Sequence, residues 1–128
     1  MKRILIDTNI YSYALKGDER VVEILREADE IGLSIISIGE LLAGFKLGGM
    51  EQKNRKELEQ FLDSPRVVVY QADEDTAEFY AQIFYGLRKI GKPVPTNDIW
   101  IAAMAFQNGL KLFTRDSHFQ YIAGLYLI

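Results

Sequence analysis

Four short apolar runs are spaced along the chain with helix-patterned stretches between them, and this alternation constrains the fold more than any other feature. Residues 3 to 7 (Arg3-Ile4-Leu5-Ile6-Asp7), 33 to 37, 67 to 70 and 111 to 114 are brief and close to continuously apolar. That is the pattern of strands covered on both faces. A fifth, weaker run lies at Leu125 to Leu127. The stretches between carry helical spacing and helix punctuation. Val21, Val22, Ile24, Leu25 and Ala28 repeat on one face, with Gly32 as the expected stop. Leu41, Leu42 and Phe45 share a face that Gly48-Gly49 ends, and residues 51 to 63 form a charged helix before Pro65. Asp73 to Ile90 is the longest helix, capped by Asp73 and closed by Gly91 and Pro93. A helix from Asn97 to Gly109 is apolar on nearly every side, so it belongs in the middle of the fold. Strands alternating with helices predict an α/β fold: one domain over residues 1–128, with a central parallel sheet of about five strands flanked by helices.

Composition removes several chemistries. With no cysteine, disulfide frameworks, thiol catalysis and thiolate zinc sites are excluded, and the absence fits a cytoplasmic protein. A single histidine, His118, rules out multi-histidine metal sites. The first apolar run stops at Asp7, far short of a signal peptide, and no segment approaches the ~20 apolar residues of a membrane span. Net charge is −3, which argues against a protein that coats nucleic acid but not against an enzyme that cuts it.

Four carboxylates stand out by position. Asp7 closes the first run, Glu40 follows the second, Asp98 opens the apolar helix, and Asp116 follows the late strand. In an open parallel sheet the carboxyl ends of the strands share one edge, where ligands bind. Converging acids would repel at roughly 4 kcal/mol per close pair at moderate effective dielectric. A divalent cation with oxygen ligands, Mg²⁺ or Mn²⁺, removes that penalty. Each acid also has a purely structural account. Asp7 can cap a helix. Ser37-Ile38-Gly39-Glu40 has the form of a capping box. Asp98 can complement a helix dipole, and Asp116 can serve a turn.

Taken together, Asp7-Thr8-Asn9, Ser37-x-x-Glu40, Asn97-Asp98-x-x-Ile101-Ala102-Ala103 and Thr114-Arg115-Asp116 resemble the PIN-domain family, most of all its VapC-like toxin ribonucleases. The resemblance spans the whole chain and no site acid is missing. It implies a Mg²⁺- or Mn²⁺-dependent ribonuclease with Asp7, Glu40, Asp98 and Asp116 as catalytic acids. Asp7, Asp98 and Asp116 would be metal ligands, with Thr8, Asn97, Thr114 and Arg115 in support. It also implies an RNA substrate, a cognate VapB-like antitoxin and a homodimer. Arg115 could grip a phosphate or sit in a surface ion pair. A housekeeping PIN ribonuclease and a noncatalytic PIN-like binding module are the alternatives, and loss of site acids would mark the latter. A haloacid-dehalogenase phosphatase would need an acid where Asn9 stands, and a receiver domain would need an acid pair after the first strand.

Overall fold

The computed structural model describes residues 2–128. Four parallel strands run β1 (Arg3–Ile6), β2 (Glu30–Ser34), β3 (Val67–Tyr70) and β4 (Lys111–Phe113), in the spatial order β3-β2-β1-β4. Helices α1 (Thr8–Leu15), α2 (Glu19–Glu27), α3 (Ile35–Leu47), α4 (Glu51–Leu62), α5 (Glu74–Ile90) and α6 (Thr96–Asn108) fill the connections, and a short 3₁₀ turn spans Ser117–Tyr121. Among the described residues no helix is long and apolar enough to cross a membrane.

The strand period of two divides the core between the faces. Ile4, Ile6, Ile31, Leu33 and Phe113 pack with Ile10, Val21, Leu41 and Leu58 of α1 to α4. Leu5 and Leu112 face the other way, onto Ile83 and Leu87 of α5 and Ile101 and Met104 of α6. The expectation for α6 is met: Ile99 and residues 101 to 105 are all buried.

Three expectations need correction. The second helix ends at Glu27 rather than running on to Gly32, and β2 begins at Glu30. Gly32 is a strand residue whose missing side chain makes room for an aromatic ring: a Cβ there would lie 2.7 Å from Cε2 of Tyr70. The strand also ends earlier than the run of residues 33 to 37 suggests. Ser34 is the N-cap of α3, its hydroxyl accepting from the Ile36 N–H at 2.9 Å, so Ile35 and Ile36 are helical despite their β-branched side chains. Finally, the sheet has four strands. Leu125 to Leu127 makes only an isolated parallel bridge, Leu127 to Leu112, with two backbone bonds to Leu112. Tyr126 and Ile128 stay exposed, so little burial drives that pairing further.

Candidate active site

β1 has β2 on one side and β4 on the other, and the chain reverses direction across the sheet between β1 and β4. Ligands of open α/β sheets bind beyond the carboxyl ends at such a switch point. Asp7 and the Thr114-Arg115-Asp116 segment meet there. The Asp7 N–H donates to the Phe113 carbonyl at 3.2 Å. Asp7 is buried, 5% exposed, and its two oxygens do different work. Oδ1 caps α1, accepting from the Ile10 N–H at 2.9 Å, while Oδ2 accepts the Thr114 hydroxyl proton. The capping account of Asp7 is therefore correct but uses only half the carboxylate. Thr114 Oγ1 in turn accepts from the Asp116 N–H at 2.9 Å, so one hydroxyl links two of the four acids.

Glu40 departs from the capping-box expectation. Ser37 lies inside α3 and is fully buried, and Ser34 takes the cap. Freed from that task, Glu40 reaches across the switch point. Its Oε1 accepts from the Thr8 hydroxyl at 2.7 Å and its Oε2 from Asn97 Nδ2 at 3.3 Å. The Thr8 hydroxyl also lies 2.9 Å from that of Ser37. Ser37 is a supporting residue that motif reasoning missed, although its place one helical turn before Glu40 puts both on one face of α3. Asp116 has its turn role: Oδ1 accepts from the His118 N–H at 2.9 Å and lies 2.8 Å from His118 Nδ1. His118 is thus a turn contact of Asp116.

All four acids line one cavity of about 320 Å³, together with Thr8, Asn9 and the segment Pro95 to Asn97. The electrostatics match the crowding. Burial, followed by the charges of Asp116, Glu40 and Asp7, pushes Asp98 up to about 6, with His118 pulling the other way. Asp7 is also raised, chiefly by burial, against the lowering effect of the Thr114 and Ile10 hydrogen bonds. Arg115 does not relieve this charge. Its guanidinium grips both oxygens of Asp18, at 2.8 Å each, and lies over the Tyr13 ring. Of its two readings, the ion pair is the one realised. That pair pulls Asp18 down to about 2.

An all-oxygen, net-negative donor set with one carboxylate held far above its usual range suits a hard divalent cation. Among the described residues no three Asp, Glu or His side chains close on a common point. The acids ring an open space instead. Such an arrangement leaves coordination positions to water and substrate, as Mg²⁺ commonly requires.

The PIN domain profile matches residues 4–125. The chain belongs to the PIN-domain family. This PIN domain is 36% identical to Toxin FitB of Neisseria gonorrhoeae, over 89% of this chain and 88% of that one. It is 32% identical to a ribonuclease VapC of Haemophilus influenzae, over 91% and 88%. The structure of VapBC-1 from nontypeable Haemophilus influenzae superposes with a TM-score of 0.87 at 27% identity, covering 98% of this PIN domain and 96% of that chain.

Proposed function

We propose that this PIN domain is a metal-dependent endoribonuclease, the toxin of a cytoplasmic toxin–antitoxin pair, restrained by a cognate VapB-like antitoxin and acting as a homodimer. One observation carries the catalytic reading: carboxylates from four separate elements share one open cavity, where burial and then their mutual charge hold Asp98 near 6. The ribonuclease and toxin names of the relatives support the substrate class and the biological role.

In this reading Asp7, Asp98 and Asp116 would hold Mg²⁺ or Mn²⁺. A cation held by these residues would offset the charge of the phosphodiester and lower the pKa of a bound water. Glu40, oriented by the Thr8 hydroxyl and the Asn97 amide, takes the water's proton. The water oxygen then bonds to phosphorus as the bond to the leaving sugar oxygen breaks, and that oxygen takes a proton from solvent. Thr114 fixes Asp7 relative to Asp116, the kind of supporting bond that sets ligand orientation.

The test is cleavage of labelled total RNA by purified protein with Mg²⁺ or Mn²⁺, against EDTA and the Asp7→Asn/Asp98→Asn variant. Cutting that needs the metal and disappears in the variant is the expected result. Folded, antitoxin-free protein that cuts no RNA class would overturn the catalytic reading and leave the binding module.

A further inference from the structure

A second cavity, of about 390 Å³, adjoins the acidic one across the segment leading into α6. Residues 94 to 99 contribute to both cavities. Pro95 and Asp98 line the acidic side, and Val94 and Ile99 line the other. The lining residues 94/95 and 98/99 are consecutive, with Cα atoms about 3.8 Å apart, so the two cavities meet along this segment. Their chemistry is opposite. The second cavity is edged by Arg88 and Lys92, neither of which forms an ion pair among the described residues. Both cations sit on aromatic rings instead. The Arg88 guanidinium lies 5.3 Å from the Phe84 ring centre, and Lys92 Nζ lies 5.0 Å from that of Tyr121. Phe84 and Tyr121 are partly exposed, at 39% and 36%. Tyr121 ends the turn that Asp116 caps, so Lys92 rests on the short segment that carries one of the acids.

The geometry points to these cavities as consecutive subsites for one single-stranded RNA. The scissile phosphodiester lies among the acids, and the adjoining nucleotide lies beside Phe84 and Tyr121 with its phosphate held by Arg88 and Lys92. Three arguments carry this assignment. A polyanion cannot approach four carboxylates without neighbouring positive charge, and the whole chain is net negative. Arg115, the cation nearest the site in sequence, is already committed to Asp18. Unpaired cations interleaved with exposed rings form the surface that unstacked single strands use, through phosphate contact and base stacking. A duplex would not present a base to such a cavity.

The inference rests on the ribonuclease reading, and its test separates the two. Binding of a fluorescent single-stranded oligoribonucleotide is measured in the noncleaving Asp98→Asn background, with and without Arg88→Gln/Lys92→Gln, across a salt series. Cleavage by the otherwise native protein is measured in parallel, and Lys53→Gln/Lys56→Gln on α4 serves as the charge-matched control. The expected result is weaker binding with a salt slope flatter by about 1.4, the value for two lost phosphate contacts on a single strand. In cleavage the loss should appear in KM rather than kcat. Phe84→Leu, which keeps apolar volume but removes the ring, should weaken binding about tenfold with the salt slope unchanged. If native protein cleaves RNA while the Arg88/Lys92 pair behaves like the α4 control, the subsite is overturned and the ribonuclease stands. If those variants change only the oligomeric state, the patch is a protein interface and the subsite is again overturned. If native protein neither binds nor cleaves RNA, both readings fall together.

Discussion

The two ends of the sheet treat charge in opposite ways. At the amino end a cavity of about 520 Å³ is edged by Lys2, Arg3, Arg20, Lys111, Glu23 and Glu27. Both signs are present, and partners are found within reach. Lys2 pairs with Glu27 at 3.4 Å, and Arg3 pairs with Glu30 at 3.3 Å while donating to the Tyr70 hydroxyl. At the carboxyl end the cavity is smaller, about 320 Å³, and its ionised groups are all acids. The larger cavity mixes both signs, and the smaller one gathers a single sign. Size therefore misleads here. The informative quantity is charge that the chain has gathered and left unbalanced, because holding it together costs free energy that an external cation can recover.

That contrast can be broken most directly by removing acids and bases in parallel. Asp98→Asn should lower RNA cleavage on the order of 10³-fold. Arg20→Gln/Lys111→Gln at the amino end should leave it within about twofold, as for ordinary surface changes. Comparable losses from both would show that the amino-end cavity takes part. A smaller effect is expected of Thr114→Val, which removes the hydroxyl joining Asp7 to Asp116. Metal affinity, followed by Mn²⁺ titration calorimetry, should fall 10- to 100-fold.

Stability sharpens the comparison further. Asp98 is held near 6 against an ordinary 3.8, so the folded protein binds that proton more tightly than the unfolded chain. Its contribution is fully present below pH 3.8 and lost as pH rises through 6. Without divalent metal, Asp98→Asn should therefore stabilise the protein at pH 7.5 by about 2 kcal/mol, a figure reduced from the full shift for partial solvent screening. Near pH 4 the gain should vanish in denaturant titrations. Added Mn²⁺ should reverse the ranking by stabilising the native protein alone. The smallest effect belongs to the other end. Lys2→Gln, which breaks an exposed ion pair, should change stability by less than about 0.5 kcal/mol.

Most of the fold was legible because its strands are apolar on both faces and its long helices carry firm stop signals. Gly91 and Gly109 both adopt the left-handed conformation expected of helix ends, with φ of 67° and 64°. Legibility failed where short β-branched runs met a helix start. Ile35 and Ile36 look like strand, and only the Ser34 hydroxyl, by capping the next turn, shows where the strand stops. That local error had a site-level consequence, because it made Glu40 look like the partner of a capping serine. The four acids were visible by position, yet their tethers were not all visible. The Thr8 and Asn97 donors to Glu40 come from α1 and α6, and the Asp18 that captures Arg115 lies 97 residues away. Contacts over such distances depend on how elements pack, which a local motif does not encode.

The Thr114 hydroxyl bond to Asp7 spans 107 residues, and β1 is paired with β4 over the same range. A chain emerging from the ribosome has β1, β2 and β3 long before it has β4. Until then β1 presents an open edge, Asp7 lacks its tether, and Asp116 has yet to be made. Long-range pairing of this kind is also intrinsically slow to form. An enzyme proposed to cut RNA is thus inert while it is still being translated beside RNA, and the delay is written into the strand order.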